Sequence, residues 1–401
     1  MKKLLLTSSL LFSPLAFAGM EEVTSVSIPL GIGQKVTYAV VKYSETLDAD
    51  QIKKSDFAVK DRNIVEVYLA TDNDIHSHST KGQYVVIKMD PQDPTASLLT
   101  DVKGQTPQPT SYTLEVSQVN PLTDVKSIAP ETKVAQQSVN LVADDFTQLS
   151  FTDKDGTTIN YNLYVPKDYK PQTEYPLVMF IHDAGVTSDY IKATLYQGNG
   201  ATAWATPESQ ARHQAFVLAP QFADKIVTDK YEIPTKNINA LIALINSLSE
   251  KYSIDMDRIY ATGQSGGGML EYALNITHPD FLAASYHVAS QWDATQVAPM
   301  AHNKMFVFIS KDDPKAYPTW QQMIPVLEKE GADIQTLEVK GNDSLNNLNS
   351  DVEKLLEKGG NIHLMYVASG TLPSQIAGTK SGPAAAHMGT WEISYRDSLN
   401  F

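Results

Sequence analysis

Three segments of this chain are apolar without interruption: Leu177-Val178-Met179-Phe180-Ile181, Phe216-Val217-Leu218-Ala219 and Met305-Phe306-Val307-Phe308-Ile309. A strand with one wet face alternates polar and apolar residues, whereas a run apolar on both faces needs cover on both. Such runs suit the central strands of a parallel sheet held between layers of helices. Helical patterns lie between them. Ile238, Leu241, Ile242, Ile245 and Leu248 recur at three- and four-residue steps, one stripe of an amphipathic helix. Strands alternating with helices imply an α/β sheet from about residue 145 onward.

The part before it has a different grain. In Val36-Thr37-Tyr38-Ala39-Val40 the larger side chains fall on one face. Ile64 to Leu69, Tyr84 to Ile87 and Tyr112 to Val116 are further strand candidates, separated by turns such as Pro91-Gln92-Asp93-Pro94. Short strands at this spacing suggest a small all-β sandwich. The polar stretch Pro130 to Ser138 reads as a linker.

The first 18 residues read as a secretory signal: Lys2 and Lys3, an apolar core between Leu4 and Leu15, and the small-x-small site Ala16-Phe17-Ala18. The apolar run is too short to span a bilayer. The expected division is a signal at 1–18, an all-β domain at 19–138 and an α/β domain at 139–401. Export to the periplasm or beyond leads to an oxidising space, yet the chain has no cysteine, so burial alone must stabilise it. The formal charge is −14, and −16 without the two signal lysines. An acidic protein of this kind is a poor ligand for nucleic acid or anionic membranes.

Gly263-Gln264-Ser265-Gly266-Gly267 fits G-x-S-x-G, the nucleophile elbow of serine hydrolases, in which serine sits on a strained turn between strand and helix. With Gly and Ser each at roughly 7% of residues, about one chain in ten of this length contains the match by chance. Its context decides. Arg258 to Thr262 reads as a strand and Met269 to Thr277 as a helix ended by His278-Pro279. The alternative is a Gly-rich phosphate turn, but neither G-x-G-x-x-G nor a following Gly-Lys is present.

Serine needs a base, and α/β-hydrolases order the chain as Ser, acid, His. Among the histidines after Ser265, His278 and His287 come too soon, His302 precedes the acid candidates and His363 opens the apolar stretch His363 to Val367. His387 lies in a loop of small residues before a helical C-terminal segment, the expected place. The acid should follow the strand Met305 to Ile309, where Asp312 and Asp313 both stand before Pro314. An oxyanion hole would use the backbone N–H of Gly266 and a second from the loop His182-Asp183-Ala184-Gly185, with the His182 side chain packing under that loop. Asp72, Asp74, His76 and His78 have metal-binding side chains, but their alternation on a polar loop reads as a solvated turn.

With these residues the chain resembles the secreted two-domain α/β-hydrolase esterases that carry an N-terminal immunoglobulin-like domain. These are related to polyhydroxybutyrate depolymerases and feruloyl esterases, and are often described as peptidases. The likeness covers most of the chain. It runs through Val41-Lys42-Tyr43-Ser44 and Asp56-Phe57, then Tyr161 to Pro166, Tyr175-Pro176-Leu177, Ile181 to Gly185, Gly200-Ala201 with Trp204, and Val217 to Gln221. It passes through the elbow and ends at His387 with Trp391 and Tyr395. The resemblance implies an α/β-hydrolase fold behind an immunoglobulin-like sandwich, and a Ser265–His387–Asp313 triad. The family's acid is the aspartate just before the proline.

The chain departs from the family in three places. Gly266 replaces a larger residue. His182-Asp183 replaces His-Gly, which leaves Asp183 and Ala184 both as candidates for the second donor. The stretch from about Gly341 to Pro383 is longer than expected and reads as an inserted helix and flap. Trp292 is a candidate for lining the pocket, with core packing as the alternative.

The expected activity is hydrolysis of carboxylic esters, small or polymer-linked, of short-acyl or aryl type, without cofactor or metal. A peptidase with the same triad, and a non-catalytic surface-binding protein on a hydrolase scaffold, are the rivals.

Overall fold

The structure, a computed structural model, describes residues 18–100, 106–122, 128–372 and 383–395. The expected signal segment thus lies outside the described residues apart from its last position. Two compact units are formed. One has Thr37–Asp93 and Thr113–Ser138 with the chain up to Val26, and the other has Ser27–Val36, Pro94–Tyr112 and the chain from Val139.

The front strands are β1 (Met20–Leu30), β2 (Gly33–Asp48), β3 (Phe57–Val59), β4 (Ile64–Ala70), β5 (Lys81–Met89), β6 (Glu115–Gln118), β7 (Glu131–Val134) and β8 (Gln137–Asn140). They make a five-stranded sheet ordered β4-β5-β2-β1-β8 and a three-stranded sheet ordered β3-β6-β7. The β2–β5, β4–β5, β3–β6 and β6–β7 pairs are antiparallel. The expected alternation is a correction over part of the sheet: Val36, Tyr38 and Val40 are buried, but so are Thr37, Ala39 and Val41 between them, and Val85, Val86 and Ile87 are buried in succession, because these inner strands are covered on both faces. The Tyr43 hydroxyl donates to Gln118 Oε1 at 2.8 Å, tying β2 to β6 across the two sheets. The expected linker is a correction: Pro130 to Ser138 supplies β7 and part of β8. Both strands lie at sheet edges and stay largely exposed. Their polar sequences therefore hide the strand period.

The rest of the chain gives β9 (Thr147–Thr152), β10 (Thr158–Tyr164), β11 (Tyr175–Ile181), α1 (Ala193–Tyr196), α2 (Pro207–Arg212), β12 (Phe216–Gln221), α3 (Thr235–Lys251) and β13 (Ile254–Gln264). It continues as α4 (Gly266–Thr277), β14 (Ala284–Val288), β15 (Met305–Ser310), α5 (Ala316–Lys329), β16 (Ile334–Val339), α6 (Leu345–Glu357), β17 (Ile362–Val367) and α7 (Pro383–Ser394). Nine strands form one sheet in the order β16-β17-β15-β14-β13-β11-β12-β10-β9. Only β9–β10 and β10–β12 pair antiparallel; the other neighbours are parallel. This is the α/β-hydrolase sheet. The three uninterrupted apolar runs are its strands β11, β12 and β15, buried along their length.

Most of the supposed flap is ordinary sheet architecture. α6 buries Leu348, Val352 and Leu355, and β17 lies between β15 and β16. The remaining stretch, 373–382, lies outside the described residues.

Candidate active site

Ser265 occupies the single residue between β13 and α4, with φ 50° and ψ −115°. That left-handed backbone costs on the order of 1–3 kcal/mol for a residue with a Cβ, so the surroundings must impose it. They do so by close approach. A Cβ at Gly267 would stand 2.0 Å from the Ile181 carbonyl oxygen, and one at Gly263 would stand 2.6 Å from the Gly267 carbonyl carbon. Gly267 lets the end of β11 press against the turn, and Gly263 lets the first turn of α4 fold back onto the end of β13. The Ser265 N–H donates to the Val288 carbonyl at 3.0 Å, which fixes the turn from the β14 side. Gly266 begins α4, where the first N–H groups have no acceptor within the helix.

Asp313 follows β15 and is nearly fully buried. Its Oδ1 accepts the N–H groups of Lys315 and Ala316, both at 2.9 Å, and its Oδ2 lies 2.6 Å from His387 Nδ1. Burial would raise its pKa. The hydrogen bond and charge of His387, with the two amides, outweigh burial and hold the carboxyl below the usual range. Asp312 faces elsewhere and accepts the Gly370 N–H at 2.7 Å. His387 Nε2 is 2.9 Å from Ser265 Oγ. His387 sits in α7 rather than in a loop before a helix. The alanines that suggested a small-residue loop are strong helix formers, and Pro383 is suited to a first helical position. Trp391, one turn further on, meets the imidazole edge-on at 5.7 Å.

The loop after β11 forms a short 3₁₀ turn, Ala184–Val186. The Asp183 carboxylate caps it, accepting Gly185 N–H at 2.9 Å and Val186 N–H at 3.2 Å. The Asp183 N–H is directed to Gln197 Oε1 at 3.3 Å. Asp183, expected beside Ala184 as a backbone donor, therefore already has an acceptor. The Ala184 N–H has none among the described residues, and it lies 3.1 Å from where a Cβ on Gly266 would be. Gly266 is small enough to let the two loops meet. Beneath them the Gln221 amide donates to the carbonyls of Val186 (2.9 Å) and Ser188 (3.1 Å) and accepts the Thr194 N–H (2.8 Å). Gln197 and Gln221 were not legible as site residues. A glutamine closing an apolar run is the only hint.

Trp292 does not line a pocket. It is fully buried, donates Nε1–H to Gln296 Oε1 at 3.2 Å and packs against Tyr231. A large apolar ring next to a core strand gains more from burial than from an open wall. The Asp72 and Asp74 carboxylates accept the N–H groups of Asp74 (3.1 Å) and His76 (2.9 Å), and His78 stacks on Tyr68. These are turn contacts.

Behind the elbow, Glu271 of α4 is fully buried with Oε2 3.2 Å from His287 Nδ1. His287 stacks on Tyr272 at 3.9 Å and its Nε2 is 2.8 Å from Ser285 Oγ. Burial raises the Glu271 pKa well above its ordinary value and lowers that of His287 to about 3, which favours the neutral form of each.

Residues 22–128 match the family described as the Esterase Ig-like N-terminal domain. The crystal structure of a thermostable esterase is similar over 94% of this chain and 96% of that one, with 25% identity and a TM-score of 0.75. The feruloyl esterase module from Clostridium thermocellum is 14% identical over 63% of this chain and 86% of its own, with a TM-score of 0.42. A ferulic acid esterase from Anaeromyces mucronatus is 13% identical over 64% of this chain and 91% of its own, with a TM-score of 0.39. No curated protein matches the chain in sequence. The fold is that of an α/β-hydrolase. With its immunoglobulin-like front domain and its full-length likeness to an esterase, the chain is a two-domain carboxylic ester hydrolase.

Among the described residues no helix is long and apolar enough to cross a membrane.

Proposed function

We propose that the chain is an exported serine esterase that cleaves short-acyl or aryl esters through an acyl-enzyme. The observation that carries this reading is the continuous line Ser265 Oγ–His387 Nε2 at 2.9 Å and His387 Nδ1–Asp313 Oδ2 at 2.6 Å. Ser265 Oγ attacks the acyl carbonyl while His387 Nε2 takes the hydroxyl proton. Asp313 holds the imidazole with Nδ1 protonated and stabilises the imidazolium that forms. The tetrahedral oxyanion is held by the N–H groups of Gly266 and Ala184, the former at the positive end of α4. Collapse expels the alcohol with the proton from His387. Water then attacks the acyl-enzyme, giving its proton to His387, and Ser265 leaves with that proton restored.

The export reading rests on the basic and apolar start of the chain. The domain limits 1–18, 19–138 and 139–401 remain the proposed division.

Ser265→Ala is expected to lower kcat on p-nitrophenyl acetate by ~10⁴-fold or more, with the variant folded by near-UV circular dichroism. Undiminished hydrolysis would remove Ser265 from the mechanism. A panel of esters differing in acyl length and leaving group checks the substrate class: turnover falling steeply beyond short acyl chains is expected. Faster cleavage of matched peptides than of any ester would favour a peptidase.

A further inference from the structure

The Asp183 carbonyl and the Ala184 N–H belong to one peptide unit. In a planar trans peptide the two point in opposite directions, and the described backbone contains no cis bond. Whatever holds the carbonyl therefore aims the N–H. The Asp183 carbonyl oxygen lies 2.6 Å from His182 Nδ1, whose side chain is buried beneath the loop. The N–H of Ala184 is thus turned the other way, on the loop that approaches Gly266.

The imidazole in turn has its protonation pattern set from below. The Phe222 N–H, just past the end of β12, donates to His182 Nε2 at 3.0 Å. A donor facing Nε2 requires a lone pair there, so the neutral ring carries its proton on Nδ1 and donates to the carbonyl. Burial keeps the ring neutral by lowering its pKa to about 4. The remaining amides of the loop are engaged elsewhere: Asp183 with Gln197, and Gly185 and Val186 with the Asp183 carboxylate.

We propose that His182 is a positioning residue of the oxyanion hole. Its Nδ1–H tautomer, imposed by the Phe222 amide, holds the Asp183–Ala184 peptide in the orientation that presents the Ala184 N–H to the reacting carbonyl. The proposal rests on the reading of Ser265 as nucleophile. It assigns the His182 side chain a task that packing against Phe222 alone would not require.

The test uses full-length protein and p-nitrophenyl acetate. His182→Ala is expected to lower kcat ~10²-fold with KM within about twofold, since an oxyanion donor acts in the transition state rather than in the bound substrate. The affinity of phenylboronic acid, which forms a tetrahedral adduct on the serine, should fall with kcat. His182→Asn places an amide donor where Nδ1 stands and should recover most of the rate. His182→Gln reaches only the Nε2 position and should not. A folded Ala variant with kcat within twofold of wild type, a loss confined to KM, or equal rates for the Asn and Gln variants would each overturn the proposal. If the variants do not fold, ¹⁵N NMR of the wild-type imidazole decides: protonated Nδ1 and bare Nε2 on His182 are expected, and the reverse tautomer overturns it. Ser265→Ala run in parallel separates the two levels. An active Ser265→Ala variant would sink the nucleophile reading, whereas an inactive one beside an indifferent His182 would sink only this proposal.

Discussion

From Gly263 to Gly268 the elbow carries only two side chains, those of Gln264 and Ser265, whereas the loop facing it carries a histidine with both ring nitrogens bonded and an aspartate capping its own turn. The elbow is shaped by exclusion: β11 presses so near that a methyl group at Gly267 would meet a carbonyl oxygen at 2.0 Å. The facing loop is shaped by hydrogen bonds, from His182, Asp183, Gln197 and Gln221. Sterics give a position that survives changes of pH and solvent. Hydrogen bonds give a direction, which an oxyanion donor needs, but one that depends on protonation.

The largest effect should come from breaking the exclusion. Gly267→Ala places its Cβ against backbone that cannot yield, and a loss of roughly 3–5 kcal/mol is expected. Urea unfolding measures it. A variant within 1 kcal/mol of wild type would show that the elbow tolerates side chains and that the contrast is false.

Titration separates the two regions next. Burial holds His182 and His287 neutral, with pKa values lowered from 6.5 to about 4 and about 3. Both have depressed folded values, so their contribution is full above about pH 6.5 and is lost as pH falls through that value toward 4. The unfolded chain takes up those protons and the native one does not. Glu271 has the opposite sign. Its raised folded value makes the native state keep a proton that the unfolded chain releases above its ordinary 4.5, so stability falls as pH rises. His363, whose pKa burial also lowers, acts in the same direction, so the histidines make stability rise with pH toward about 6.5 while Glu271 opposes the rise above about 4.5. Glu271→Gln should flatten the alkaline side, and His182→Asn should reduce the acid slope. Identical pH dependence of stability in wild type and Glu271→Gln above pH 4.5 would contradict the raised carboxyl pKa behind the elbow.

The smallest effect belongs to the loop's own cap. Asp183→Ala frees the N–H groups of Gly185 and Val186, and about 1 kcal/mol of stability should be lost. The change in kcat should stay below that of His182→Ala, because the Asp183 carbonyl remains held. A larger rate loss from Asp183→Ala than from His182→Ala would reverse the ranking of the loop's bonds.

The sequence displays the elements that bury both faces and hides those that bury neither. β11, β12 and β15 stand out as unbroken apolar runs, and Ser265 as a small-residue motif between strand and helix. β7 and β8 do not, because edge strands remain polar. α4 begins three residues earlier than its apolar pattern suggests, since Gly266, Gly267 and Gly268 are poor helix formers held there by packing. The line proposed as the triad was legible in part: Ser265 from its motif, Asp313 and His387 from chain order, and Asp313 over Asp312 from the family's pattern. The network behind the loop after β11 was not, because it joins His182, Gln197 and Gln221 to the backbone of other segments. Hydrogen bonds to backbone leave no spacing in a sequence.

Covalent capture would show directly whether Ser265 is the nucleophile. Wild-type protein treated with a fluorophosphonate is expected to gain one adduct per chain, located by mass spectrometry on the peptide bearing Ser265, with hydrolysis lost in proportion. His387→Ala should slow the labelling by at least ~10³-fold. A folded protein that takes up no label, or one labelled on another serine while activity is lost, would contradict the assignment of Ser265 and its partners.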